Sequence, residues 1–195
     1  MIESPKRPRL SAEQSRQVLV QACIDLLATR EVQDVTNAVL EQTTGLNRSY
    51  VTRYFGTRNG MFIAVVRELD DRIALEIDPT GAGVGGLDVP ELLSRPEARI
   101  RIRLTMWLLS QGVPASDFVD GDPPVLVRAQ ERIDAIFGIG PRASRTYAFQ
   151  MLLLSAGMAS LGATFGLTTD DVQDLEALVR AQFVVSSDTT KALGW

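Results

Sequence analysis

The stretch TNAVLEQTTGLNRSYVTRYF, residues 36–55, contains two short helical patterns joined by a glycine. Thr36 is an N-cap residue in front of the first pattern, and Asn47 is an N-cap residue in front of the second. Gly45 lies between them, where a glycine commonly ends a helix. Two short helices joined by a tight turn predict a helix-turn-helix, whose second helix enters the major groove of DNA.

The second short helix has an apolar face and a polar face. Val51 and Phe55 are four residues apart, so both are predicted to face the core. Three polar residues then face outward, namely Arg48, Ser49 and Thr52, and they are flanked by Tyr50, Arg53 and Tyr54. Arginine can read guanine bidentately, hydroxyl groups can bond base edges, and tyrosine or arginine can hold phosphates. A solvated helix surface is the alternative interpretation.

Charge is distributed unevenly along the chain. The net charge is −4, yet residues 1–60 hold eight basic and six acidic side chains, which gives +2 and leaves −6 on the remaining residues. Residues 42–67 contain four arginines and no acidic residue. A basic end on an acidic body is typical of a protein that contacts phosphates with one end only.

The run GLNRSYVTRYFGTRNGMFIAVV, residues 45–66, resembles the recognition helix and the start of the fourth helix in the TetR family of transcriptional regulators. That family pattern reads roughly G-[VL]-S-x-x-x-[LV]-Y-x-[YH]-F, followed by a small or polar pair, a lysine and a further helix. Chain length, the long helix predicted before the motif and the helical body after it also match the family. The resemblance therefore implies an all-α fold over the whole chain.

The resemblance also implies a function and a set of contacts. The expected protein is a ligand-responsive repressor that binds a palindromic operator in double-stranded DNA as a homodimer. Base contacts are implied for Arg48, Ser49 and Thr52. Phosphate contacts are implied for Asn37, Tyr50, Arg53, Tyr54 and Arg58, with the backbone amides beside Thr57 as an anion-binding helix end.

Three residues depart from the family pattern. Arg58 replaces the usual lysine and keeps the charge, and Glu31 stands where a glycine usually ends the first helix. Glu41 stands where a small residue usually lets the second and third helices cross closely. A carboxylate at that crossing must reach solvent or find a partner.

Before the motif, the sequence predicts a basic arm and one long helix. Residues 1–10 form the arm, and Ser11 with Gln14 forms a capping box for a helix that runs to Arg30. The residues predicted to be buried in this helix are Leu19, Ala22, Cys23, Leu26 and Leu27.

After the motif, Thr57 caps a fourth helix that leads into a linker rich in glycine and proline, residues 78–90. Further helices are predicted over 96–111, 123–137, 141–165 and 170–185. Residues 99–104 alternate between arginine and apolar side chains and could form a strand, but no partner strand is available, so the helix is favoured. The predicted domains are the arm (1–10), a DNA-binding domain (11–56), a connecting helix (57–77) and an effector-binding and dimerisation domain (78–195).

The helix predicted over 141–165 has two apolar stripes. The large stripe contains Tyr147, Met151, Leu154, Met158, Leu161 and Phe165. The small stripe contains Ala148, Leu152, Ser155, Ala159 and Gly162, and we predict that it forms a four-helix dimer interface together with helix 170–185.

An apolar small-molecule effector is predicted among the helices of the C-terminal domain. The side chains that could line its pocket are Trp107, Phe118, Phe137, Tyr147 and Met151. The same residues could equally be ordinary core, because apolar helix faces are normally buried.

Several absences restrict the function. The chain has no histidine and one cysteine, so the commonest general base and the commonest zinc ligand are missing. We therefore predict neither a cofactor nor a metal. Apolar runs of about 20 residues and a secretory signal are also missing, which predicts a cytoplasmic protein without membrane contact. These features argue against an enzyme. A helical adaptor whose basic N-terminus contacts another protein is the alternative function.

Overall fold

The computed structural model describes residues 10–78, 80, 95–119, 121–162, 164–171, 173–175, 177–178, 181 and 192–193. The predicted arm up to residue 9, most of the predicted linker and part of the predicted helix 170–185 lie outside these residues. No strand occurs among the described residues, which are helical or form turns and loops. The predicted all-α fold class is therefore confirmed, as is the helix over the alternating arginine segment.

Seven α-helices have both ends within the described residues. In order, they are α1 (Ala12–Leu27), α2 (Asn37–Thr44), α3 (Ser49–Phe55), α4 (Arg58–Glu76), α5 (Pro96–Ser110), α6 (Pro124–Phe137) and α7 (Pro141–Leu161). Short 3-10 helices at Val32–Asp34 and Ala115–Asp117, which were not predicted, lie before α2 and before α6. Helical residues also occur between positions 169 and 181.

The chain divides into two compact units, Met1–Val65 and Val66–Trp195, and the division falls within α4. We call them the N-terminal unit and the C-terminal unit. The division lies inside the predicted connecting helix rather than at one of its ends. The separate functions assigned to the predicted domains stay a prediction.

The N-terminal unit begins with the predicted capping box. The Ser11 hydroxyl accepts from the backbone N–H of Gln14 at 3.1 Å, and the Gln14 side chain accepts from the Ser11 N–H at 2.9 Å. The five residues predicted to be buried in α1 are all buried. The helix ends at Leu27, earlier than predicted, and Glu31 lies in extended backbone that needs no glycine.

The C-terminal unit has two apolar clusters. The larger one joins α6 to α7 and contains Leu126, Ala129, Ile133, Ile139, Ala143, Ala148 and Met151. The smaller one joins α4, α5 and α6 and contains Ile73, Ile77, Ala98 and Val125. A proline at the first position of each of α5, α6 and α7 starts the helix without losing an intrahelical hydrogen bond.

The connection between α6 and α7 is held by one carboxylate. Asp134 accepts from the N–H of Gly140 at 2.8 Å and from the hydroxyl of Ser144 at 3.1 Å.

Helix α7 then ends at Leu161, four residues before the predicted end, so Phe165 lies in a turn. In the part of the chain that the structure describes, no helix has both the length and the apolar content to cross a membrane.

Candidate nucleic-acid interface

Local hydrogen bonds begin and end the first helix of the motif as the sequence predicts, whereas the second begins one residue later. The Thr36 hydroxyl accepts from the N–H of Val39 at 3.3 Å at the start of α2. Gly45 ends α2 with φ of 70°, a left-handed conformation that glycine adopts without a steric cost. The N-cap of α3 is Arg48 rather than the predicted Asn47, and Arg48 makes no side-chain cap hydrogen bond. The side-chain oxygen of Asn47 accepts from the N–H of Ser49 at 2.9 Å in the turn before the helix.

Helix α3 anchors one face in the unit and exposes another. Val51 is fully buried, as predicted. Phe55, predicted to face the core, is half-buried. The three residues expected to contact bases, Arg48, Ser49 and Thr52, are all exposed. The exposed polar face that a recognition helix requires is therefore present.

The flank of α3 combines aromatic rings with a cation. The rings of Tyr50 and Tyr54 are 5.5 Å apart between centroids and inclined by 39°. The guanidinium of Arg53 lies 5.9 Å from the centre of the Tyr54 ring. Both tyrosines are half-buried and Arg53 is exposed, so this group lies at the edge of the exposed face.

The other two residues expected to contact phosphates, Asn37 and Arg58, are half-buried. Arg58 donates to the carbonyl of Gln33 at 3.4 Å, and its guanidinium lies 5.5 Å from the centre of the Phe62 ring. Its side chain therefore packs within the N-terminal unit. The side-chain oxygen of Asn37 is buried without a hydrogen-bond partner among the described residues.

The helix crossing at Glu41 is accommodated without enclosing the carboxylate. Glu41 is half-buried, so it keeps access to solvent, which is the first of the two outcomes expected for this position.

A close approach occurs instead between α3 and α4, at Gly60 in the first turn of α4. A Cβ atom at Gly60 would collide with the carbonyl oxygen of Phe55, the last residue of α3. Gly60 thus sets the spacing between α3 and α4, and sequence reasoning missed it.

A second residue that sequence reasoning missed is Arg16 of α1. Its guanidinium lies 5.1 Å from the centre of the Phe55 ring, although the two residues are distant in sequence. Periodicity could place Arg16 on the outside of α1, but no local signal could have brought it to the end of α3.

Seven arginines of the C-terminal unit and three of the N-terminal unit differ in their partners. The seven bind carboxylates or carbonyl oxygens: Arg72 with Glu68, Arg95 with Glu76, Arg101 with Asp70, Arg128 with Glu131, Arg145 with Asp122, Arg67 with Asp117 and Phe118, and Arg132 with Asp78. In the N-terminal unit, the side chains of Arg16, Arg48 and Arg53 make neither an ion pair nor a hydrogen bond within the described residues. Their charge is thus not neutralised by the protein.

The residues predicted to line an effector pocket are distributed over the C-terminal unit. Met151 is buried in the cluster between α6 and α7, and Tyr147 packs against that cluster. Phe118 is buried, Trp107 is half-buried, and Phe137 is exposed at the end of α6. Their assignment to a pocket stays a prediction.

The small stripe predicted to form the dimer interface lies largely inside the C-terminal unit. Ala148, Ser155 and Gly162 are buried and Leu152 is half-buried, while the side chain of Ala159 is outside what the structure describes. Ala148 packs in the apolar cluster between α6 and α7, and the assignment of the stripe to a dimer interface stays a prediction. Among the described side chains of α7, the large apolar ones that are exposed are Phe149, Leu153 and Leu161.

The cysteine and the described acidic residues were candidates for reactivity and for metal binding, respectively. Cys23 is fully buried, and burial raises its pKa to about 12, against the smaller opposite effect of the Arg58 charge. Within the described residues, no group of three acidic or cysteine side chains is arranged to hold a metal ion.

No family model and no curated protein matches the sequence. Among solved structures, the chain is similar to the TetR family repressor AlkX from Dietzia sp. strain DQ12-45-1b, which is implicated in biodegradation of n-alkanes. The TM-score is 0.51 and the identity 20%, and the match covers 91% of this chain and 96% of AlkX. This chain therefore has the fold of a TetR family repressor.

Proposed function

We propose that this protein is a transcriptional regulator of the TetR family that binds double-stranded DNA with α3. The observation that carries the proposal is the contrast between the seven arginines of the C-terminal unit with oxygen partners and the arginines of the helix-turn-helix. Surface arginines that neutralise local carboxylates add little to DNA binding, whereas cations without a carboxylate or carbonyl partner attract phosphates. Arg48 and Arg53 are such cations, and both lie on the exposed side of the helix-turn-helix.

The exposed face of α3 supports a division between base contacts and phosphate contacts. Arg48 and Thr52 are four residues apart, so they lie on neighbouring turns of one face. An arginine there can bond guanine in the major groove, and the threonine can contact a base edge or a thymine methyl group. Arg53 and the two tyrosines at the edge of this face are suited to phosphates.

Selection from a random pool of DNA duplexes with the purified protein tests the proposal. We expect the recovered duplexes to share a near-palindrome with half-sites about one helical turn apart, or a multiple of that. Failure of the wild-type protein to bind any duplex over a range of salt concentrations would contradict the proposal. It would favour the adaptor function.

Two variants test the division of contacts. Arg48→Ala should cost about 1–3 kcal/mol on the selected duplex and leave binding to a mixed-sequence duplex nearly unchanged. Arg53→Ala should weaken binding to both duplexes, because phosphates are present in every sequence. We choose Arg53 over Arg58 for this test because the Arg58 side chain is engaged within its own unit. Arg128→Ala is the matched control, since it removes an arginine that Glu131 already pairs.

A homodimer is part of the proposal, and we place its contact on the exposed face of α7. Phe149, Leu153 and Leu161 leave apolar surface uncovered in the single chain, with Leu153 being 70% exposed. A symmetric contact between two such helices would cover this surface and present two recognition helices. Leu153→Glu should therefore yield monomers by sedimentation, whereas Leu75→Glu, at a leucine of α4 that is 79% exposed, should remain dimeric. Monomers from both variants, or from neither, would place the interface elsewhere.

We also propose that an apolar small molecule regulates DNA binding through the C-terminal unit. The support is the number of large apolar side chains there, together with the implication of the structural neighbour in biodegradation of n-alkanes. Release of the selected duplex by compounds from an apolar library, n-alkanes included, would support this. The expectation fails if no compound changes the affinity for DNA and none shifts the unfolding temperature.

A further inference from the structure

We infer that Arg16 of α1 contacts the DNA backbone at the C-terminal end of α3, and that the ring of Phe55 holds its guanidinium in place. The inference rests on the proposed function, because it adds a backbone contact to the DNA-binding surface. It concerns a helix outside the helix-turn-helix itself. The same end of α3 also carries the edge group of Arg53 and Tyr54.

The first observation is the partner that Arg16 has. A cation above an aromatic ring is attracted by the ring quadrupole and is thereby restricted in position. Because the ring has no net charge, it does not compensate the positive charge of the guanidinium, whereas a carboxylate partner would offset that charge locally. Arg16 is exposed and has no ion pair within the described residues. Its five N–H donors thus remain open to an external acceptor.

The second observation is the rigidity of the helix that carries Arg16. The capping box fixes the first turn of α1, and the buried hydroxyl of Ser15 donates to the carbonyl of Ser11 at 2.9 Å. Leu19, one turn further on, is buried in the unit. The Arg16 side chain therefore starts from an ordered backbone, and Phe55 restricts its far end.

The third observation is the distribution of cations along α3. Arg48 lies at the start of the helix, whereas Arg16 and Arg53 lie near its end. A helix in the major groove passes between two phosphate backbones, and contacts on both backbones fix its orientation. Arg16 would thus supply a backbone contact from outside the recognition helix and orient α3 in the groove.

A purely structural function of Arg16 makes a different prediction. If the guanidinium only stabilised the packing of α1 against α3, its loss would lower the unfolding temperature and leave the salt dependence of DNA binding unchanged. A phosphate contact contributes about 0.9 to the slope of log K against log salt concentration. The slope therefore separates the two functions.

The experiment measures binding of the full chain to the selected duplex and to a mixed-sequence duplex at several salt concentrations. Arg16→Met and Arg16→Gln should each reduce the slope by about 0.9 per subunit on both duplexes, because one phosphate contact is lost. Arg16→Lys should keep the slope. Phe55→Leu should keep most of the slope and weaken binding, since the charge remains but is less well positioned. Arg128→Met, which changes the net charge equally, should behave as the wild type.

An unchanged slope in both neutral variants, with salt-dependent binding by the wild type, would overturn the inference and leave the proposed function intact. An equal loss of slope in Arg128→Met would also overturn it, because net charge alone would then explain the effect. If the wild type binds neither duplex, the proposed function itself fails. Two neutral variants are used so that a folding defect in one of them does not decide the result.

Discussion

The buried ion pair between Asp70 and Arg101 should make the stability of the C-terminal unit depend on pH once the arginine is removed. The Asp70 side chain is 2% exposed, and Arg101 of α5 holds it through two contacts, one of them 3.2 Å long. Burial raises the pKa of Asp70, and the charge and hydrogen bonds of Arg101 oppose that rise. Arg101→Met keeps much of the apolar stem and leaves the carboxylate unpaired.

The expected loss of folding free energy depends on whether Asp70 of the folded variant stays charged or becomes protonated. Leaving a buried charge without its partner costs about 3–5 kcal/mol. The alternative is to protonate Asp70, which costs about 1.4 kcal/mol for each unit between the pH and the ordinary aspartate pKa of about 3.9. That cost is about 4 kcal/mol at pH 7 and about 1.5 kcal/mol at pH 5. Protonation of Asp70 therefore keeps the loss of stability smaller at pH 5 than at pH 7.

The contribution of Asp70 makes folding stability fall as the pH rises. A carboxyl whose pKa is raised by folding binds protons more tightly in the folded chain, so stability falls as pH rises from the unfolded pKa through the folded one. The wild type should show this weakly, because Arg101 limits the rise in pKa. In Arg101→Met, stability should fall over a wider range of pH, so that the loss of stability relative to the wild type is larger at pH 7 than at pH 5.

Urea unfolding followed by circular dichroism, at pH 5 and pH 7 and one protein concentration, measures the effect. Asp70→Asn combined with Arg101→Met should recover part of the loss, because no buried charge remains. Arg128→Met breaks an exposed pair and should cost less than about 1 kcal/mol at either pH. A loss in Arg101→Met that is equal at the two pH values, or no larger than that of Arg128→Met, would refute the reasoning.

Two further predictions concern the N-terminal unit. Cys23, buried with its pKa raised to about 12, should not react with a thiol reagent at pH 8 in the folded protein, and one thiol per chain should react after unfolding; rapid reaction in the folded state would contradict the described core. Gly60→Ala should lower stability by about 1–3 kcal/mol and weaken DNA binding, because the new methyl group displaces the end of α3. An unchanged urea midpoint would show that α3 and α4 can separate at no cost.

Features that depend on neighbours in sequence were predicted well. The predicted caps at Ser11, Thr36 and Thr57 form, because each is a hydrogen bond between residues three positions apart. The predicted cap at Asn47 is displaced by one residue, since α3 begins after Arg48. The buried position of Val51 followed from the helical period. Such short-range geometry is nearly the same in any fold, so a sequence pattern suffices to predict it.

Features that depend on which elements meet were not predictable in the same way. The period of α7 identified Ala148 as part of a small stripe, but only the structure shows that it packs in the apolar cluster between α6 and α7. The contact of Arg16 with Phe55 and the close approach at Gly60 likewise join residues of different helices. The end of α7 at Leu161 was missed because the apolar pattern continues into the turn.

The contrast between paired and unpaired arginines has a practical consequence for purification. A chain of net charge −4 should be retained by an anion exchanger, and the acidic surplus lies beyond residue 60. Heparin presents a dense array of sulfates. These should bind the guanidiniums of Arg16, Arg48 and Arg53 in the N-terminal unit although the net charge of the chain is negative. The same protein should therefore bind both a positively charged and a negatively charged column. A variant that elutes earlier than the wild type from heparin, but not from the anion exchanger, would have an altered DNA-binding surface, and this could be seen before any assay with DNA.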